Sequence, residues 1–163
     1  MKKLLLLIAI VCLPLQVFTQ TVSYTYKPLS AKGCTVKYTV AKQESSNYIV
    51  VTIKSDRFQF LAESTMLIRT FNDEVIELSG KHLSDDNRSL GIVSNNMVIP
   101  VTETNTTAQF KITDEQIEKL KDGVAKIRIT ATPTNHERTF KKDKIGKKLY
   151  KYFNALANAE EPF

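Results

Sequence analysis

The stretch Cys34-Thr35-Val36-Lys37-Tyr38-Thr39-Val40 alternates apolar and polar side chains without a break. Successive side chains of a β-strand point to opposite faces, so this period of two defines a strand with Cys34, Val36, Tyr38 and Val40 on its buried face. After a polar turn around Gln43 to Asn47, the run Tyr48 to Lys54 places Ile49, Val51 and Ile53 together, and the two runs pair as a hairpin. Thr65 to Phe71 and Val75 to Leu78 flank the turn-forming Asn72-Asp73, and Leu90 to Val93 and Met97 to Val101 flank Asn95-Asn96, which predicts two more turns between strands. Ala108, Phe110 and Ile112 alternate again, as do Ala125, Ile127 and Ile129. Seven or eight short strands at this spacing predict a mainly β fold, a two-layer immunoglobulin-like β-sandwich.

Two segments break the alternation. Thr113 to Gly123 carries the punctuation of a helix: Thr113 as N-cap, Gln116 as its capping-box partner, Asp114 and Glu115 in the first turn, Lys119 and Lys121 near the end, and Gly123 as the stop. Ile117 and Leu120 form its inward face, and its position between two strands predicts a short crossover from one sheet to the other. The second helix is predicted over 141–158, where Ile145, Leu149, Phe153 and Leu156 recur at helical spacing. Gly146 lowers its propensity by about 1 kcal/mol relative to alanine.

The amino terminus reads as an export signal. Lys2 and Lys3 precede the apolar run from Leu4 to Leu13, Pro14 breaks it, and Val17 and Thr19 meet the small-residue rule for cleavage after Thr19. The run is shorter than the roughly 20 residues of a membrane span. A lipoprotein anchored through Cys12 is the minority alternative, since Val11 is a poor residue before a lipid-bearing cysteine. Removing 19 of the 163 residues leaves 144, one domain spanning 20–163, with no further segment apolar enough to cross a bilayer. Losing Lys2 and Lys3 takes the formal charge from +6 to +4, too weak an excess for a dedicated nucleic-acid binder. Cys34 is then the only thiol, so no intramolecular disulfide is expected, and its place in a strand makes it a small buried apolar residue.

No residue pattern points to catalysis, a cofactor or a metal. His82 and His136 lack metal-site spacing, and His136-Glu137 has Phe140 where a zinc motif of that type needs its second histidine. There is no Gly-x-Ser-x-Gly elbow or phosphate-cradling glycine loop. Asp85-Asp86-Asn87 lacks the ligand spacing of a calcium loop and reads as a solvated loop. Asp73 and Glu74 fall at a turn, where exposure keeps both ionised. Asn87-Arg88-Ser89 and Asn105-Thr106-Thr107 match the glycosylation acceptor pattern, relevant only in a eukaryotic secretory host.

The terminal helix holds the candidate binding surface. Lys144, Lys147, Lys148 and Lys151, with Lys141 and Lys142, carry most of the excess charge, and Tyr150 and Tyr152 flank the apolar stripe. The simpler interpretation packs the stripe on the sandwich and leaves the lysines solvated. The functional one lays them against an anionic envelope surface or an acidic partner.

The Met-Lys-Lys signal, the β-rich domain, the strand-helix-strand element from Phe110 to Ile129 and the lysine-rich terminal helix together resemble small exported β-rich envelope proteins of Gram-negative bacteria. That resemblance implies a periplasmic or extracellular location and carries over no functional residue. The expected activity is non-enzymatic binding, of an envelope protein first and of a glycan as the alternative, with a hydrolase third. A glycan module would display tyrosines such as Tyr24, Tyr26, Tyr38 and Tyr48 together, because the chain has no tryptophan. A hydrolase would bring His82 or His136 to an acid or nucleophile in a pocket.

Overall fold

The computed structural model describes residues 21–26, 34–56, 58–94 and 97–159; the expected signal segment 1–19 with Cys12, and the turn pair Asn95-Asn96, lie outside them. Strands β1 (Thr21–Tyr26), β2 (Cys34–Gln43), β3 (Ser46–Ser55), β4 (Gln59–Phe60), β5 (Glu63–Thr70), β6 (Val75–Ser94) and β7 (Met97–Ile112) come first. Helix α1 (Asp114–Lys119), a 3-10 turn (Leu120–Asp122), β8 (Val124–Ile129), β9 (Ala131–Thr132), β10 (His136–Thr139) and helix α2 (Gly146–Ala159) complete the chain.

Eight strands pair antiparallel in the order β1-β2-β3-β7-β6-β5-β8-β10, and β4 pairs with β9 in a separate ribbon. The fold is mainly β with two short helices, as the alternation predicts. Its main sheet is one curled, continuous ladder, whereas an immunoglobulin-like sandwich divides its strands between two sheets. The reason lies in β6 and β7. The runs expected as separate strands at Val75 and Leu90 belong to one 20-residue strand, and those at Met97 and Ala108 to one 16-residue strand. Each continuous strand ties its outer neighbour, β5 or β3, into the same sheet. Asp85-Asp86-Asn87 is therefore no loop: these residues lie on β6 opposite Thr106, Asn105 and Thr104. The two acceptor patterns for glycosylation sit on the same paired ladder, with Thr106 fully buried.

On β2, β3 and β7 the inward face carries the side chains that the alternation assigns to it, whereas β8 buries Val124 with Ile127 and Ile129 and leaves Ala125 half-buried, where its register with β5 shifts. Cys34, Val36, Tyr38 and Val40 of β2, Ile49, Val51 and Ile53 of β3, and Ala108, Phe110 and Ile112 of β7 are all buried. The β2–β3 and β5–β6 hairpins turn through Glu44 (φ 55°) and Asp73 (φ 63°), and short polar side chains such as aspartate tolerate that left-handed region better than branched ones. The β4–β9 ribbon covers part of the core. Phe60 N–H donates to Thr106 Oγ1 at 3.1 Å, and the Phe60 ring meets Phe110 edge-on with centroids 6.1 Å apart.

Helix α1 has the predicted capping box: Gln116 N–H donates to Thr113 Oγ1, and Thr113 N–H donates to Gln116 Oε1. Ile117 and Leu120 are buried, and Gly123 ends the element at φ 79°, which favours glycine. The crossover differs from expectation in its destination. It joins β7 to β8 within one sheet, passing the intervening β6 and β5.

Candidate functional site

Helix α2 begins at Gly146, five residues later than the spacing suggests, because Asp143 organises the preceding turn. Its Oδ1 accepts from Val124 N–H at 2.9 Å, Ile145 N–H at 3.2 Å and Gly146 N–H at 2.8 Å, and its Oδ2 accepts from Lys147 N–H at 2.9 Å. One carboxylate thus satisfies the open amino end of the helix and moors it to the start of β8. Burial works against ionising Asp143, but the four backbone donors outweigh it and hold the carboxyl below its usual value. Gly146 completes the mooring. It is buried, and a Cβ there would lie 2.7 Å from Val124 N and 2.8 Å from Gly123 Cα, so the glycine permits close backbone approach and is more than a weak point in the helix.

Docked this way, α2 and the turn before it bury Ile145, Leu149 and Phe153, with Leu156 packed at the margin of the core. The opposite face presents Lys144, Lys147, Lys148 and Lys151, all exposed. Among the described residues none of the four enters an ion pair, and α2 contains no acid. Tyr150 and Tyr152 lie half-buried against the core. The Tyr150 hydroxyl also donates toward the Glu118 carboxylate of α1, at 3.3 and 3.4 Å. The lysines form an open cationic stripe, whereas both tyrosines help to seat the helix.

The two histidines occupy different environments. His136 is fully buried, with Phe58 edge-on at 6.1 Å between centroids, and burial together with the charge of Arg138 lowers its pKa to about 4. His82 is half-buried beside a register shift in β6, its Nε2 3.0 Å from Asp85 Oδ1. Burial disfavours the Asp85 carboxylate, but hydrogen bonds from Thr106 and His82 and the charge of His82 bring it below its usual value. Since Thr106 also receives Phe60 N–H, this chain of contacts ties the β4 segment to the β6–β7 ladder. Among the described residues no group of three or more His, Cys, Asp or Glu is placed to hold a metal ion. No helix of the described residues is long and apolar enough to cross a membrane.

These environments predict two stages of acid destabilisation. A free histidine takes its proton near pH 6.5, but His136 does so only near 4, so the unfolded chain binds the proton first as pH falls. Stability should drop across that window by about 3.5 kcal/mol, at about 1.4 kcal/mol per pH unit. Asp143 acts in a lower window. Its stabilisation is complete above the unfolded value near 3.9 and is lost as pH falls through its depressed folded value. Urea midpoints measured from pH 7 to 2 should show both stages. Asp143→Asn should shrink the lower stage, to which the depressed carboxyls of Asp85 and Glu137 also contribute, and cost about 1–2 kcal/mol at neutral pH. A flat profile between pH 7 and 4 would contradict the histidine assignment.

Two features arise only from assembly of the sheet. The first is a groove of about 650 Å³ on its outer face, formed by neighbouring positions of β3, β5, β6 and β7. Thr65 and Ser79 stand opposite each other and, with the Gly80 backbone, make a low floor between longer side chains. Glu63, Lys81 and Gln109 form one cross-strand row along it, and Tyr48 faces Lys111 in the next. The second is an arm. β6 pairs with β5 only up to Lys81, and β7 pairs with β3 only from Thr104 onward, so among the described residues 88–94 and 97–103 have no strand partner but each other, with the Lys54–Glu103 ion pair at the base. At about 3.3 Å per residue, this two-stranded ribbon extends roughly 20–25 Å beyond its neighbours. Along the backbone ladder Leu90 pairs with Val101, Ile92 with Ile99 and Val93 with Val98.

No protein-family model matches the chain, and no curated protein or solved structure was found to be similar to it.

Proposed function

We propose that the protein is an exported, non-enzymatic binding module that engages a protein partner of the cell envelope through the β6–β7 arm. The observation that carries this reading is that both edges of the arm are open among the described residues, combined with its aliphatic sequence. A strand edge offers a row of unpaired N–H and C=O groups, and an extended segment of a partner can add to it as a further strand. The edges differ. Pro100 of β7 has no N–H to donate, and proline within a sheet belongs on an edge whose N side faces outward, so the β7 edge is interrupted. The β6 edge has no such interruption and follows the line that β5 vacates after Lys81. The lysine stripe of α2 supports the same class of function as an accessory cationic surface for an acidic region of the partner.

A photo-crosslinking residue at Ile92, expressed in exporting cells, is expected to give one discrete adduct with a second protein. Gly91 faces Pro100 across the ribbon, so its own N–H points to the open edge. Gly91→Pro should therefore suppress the adduct while leaving the melting temperature nearly unchanged. An adduct of equal yield in Gly91→Pro, or none in the parent, would refute strand addition on this edge.

A further inference from the structure

We propose that the groove on the outer face of the sheet binds an acidic oligosaccharide, one whose sugar rings carry carboxylates. Its volume of about 650 Å³ falls within the roughly 300–1,000 Å³ of small-molecule sites. The lining offers hydroxyls from the floor residues Thr65 and Ser79 and the amide of Gln109 beside them, suited to a ligand dense in hydroxyl groups. Tyr48 supplies an amphipathic ring at one end, the kind of surface on which a sugar face packs. No aliphatic side chain lines the groove, and a docked peptide draws most of its affinity from buried apolar and aromatic anchors. That contrast favours a saccharide over an acidic peptide.

Charge specifies the acidic member of that class. Lys81 and Lys111 both line the groove, and neither forms an ion pair among the described residues. Glu63 stands opposite Lys81 in the β5–β6 register yet does not come within 4.0 Å of its ammonium. The two cations are therefore available for ligand carboxylates, where charge-assisted hydrogen bonds are stronger than neutral ones. Tyr48 is also the tyrosine that remains from the expected aromatic set: Tyr38 is fully buried, and the side chains of Tyr24 and Tyr26 lie outside the described residues.

The test is a titration of the full chain with oligogalacturonate, with its fully methyl-esterified counterpart, and with a glutamate oligomer of equal charge, followed by calorimetry and amide NMR shifts. Oligogalacturonate is expected to bind and to shift amides of residues 79–81 and 109–111. Esterification, or the double substitution Lys81→Ala with Lys111→Ala at unchanged melting temperature, should weaken it about tenfold or more, the effect of roughly 1.4 kcal/mol. Tyr48→Ala should weaken the acid and the ester alike. Absence of binding, equal affinity for acid and ester, or equally tight glutamate binding through the same amides would each overturn the proposal. Gly91→Pro should leave this titration unchanged, which separates the groove from the arm.

Discussion

Removal of residues 141–163 is expected to abolish the cooperative unfolding transition of the chain. The segment contributes Ile145, Leu149 and Phe153 to the core, each at most 4% exposed. Full burial of a side chain of this kind contributes about 1.5–3 kcal/mol. Three of them approach the entire net stability of an ordinary domain, about 5–15 kcal/mol. The helix also packs on β2 and on the 3-10 turn, while Asp143 joins it to the first residue of β8. Those contacts lie toward opposite ends of the strand order, so α2 helps to hold the sheet in its curl. Leu149→Ala isolates the packing contribution without deleting backbone, and it should cost about 2–5 kcal/mol. Urea denaturation followed by tyrosine fluorescence and far-ultraviolet circular dichroism measures both. A truncated chain with an unchanged midpoint would mean that the helix is a detachable arm, and its lysine stripe would then replace the β6–β7 ribbon as the principal candidate for binding.

The alternation of Cys34 to Val40 and of Tyr48 to Lys54 was legible because each strand has one wet face and one buried face, which imposes period two on the residues. Helix α1 was legible for a local reason as well, since both partners of its capping box lie within three residues. The segment from Ser79 to Ser89 was not. Its glycine, serines, aspartates and asparagine have the composition of a loop, and a register shift between His82 and Ser84 interrupts the period, yet the main chain of β7 pairs along it regardless of those side chains. Asp143 escaped notice because it precedes the first helical residue by three positions and its additional partner, Val124, is 19 residues away in sequence. The cationic stripe of α2 could be read directly from the spacing of Lys144, Lys147, Lys148 and Lys151. The groove could not, because its lining comes from four strands whose order β3-β7-β6-β5 departs from chain order.

Phe110→Ala is expected to cost about 3–5 kcal/mol, the range for deleting a buried aromatic ring. Phe110 is fully buried, packs edge-on against Phe60 and stands opposite Gly80 in the β6–β7 register. The ring occupies the space where a residue other than glycine would place its Cβ, at 2.4 Å from Cδ1 and 2.5 Å from Cε1. An aromatic ring laid over a cross-strand glycine in this way compensates for the glycine's missing side chain and pins the register. Gly80→Ala should therefore cost about 1–3 kcal/mol through overpacking, although alanine is ordinarily no worse than glycine in a strand. The two effects are coupled. In the Phe110→Ala background the ring's share of the Gly80→Ala cost disappears, while the share from the Gln109 carbonyl oxygen, 2.8 Å from the added Cβ, persists. A double-mutant cycle should thus give a coupling of at least about 0.5 kcal/mol, the lower bound for residues in direct contact. Strict additivity would show that the ring can move aside at no cost, and the position of Phe110 would then owe nothing to the glycine across from it.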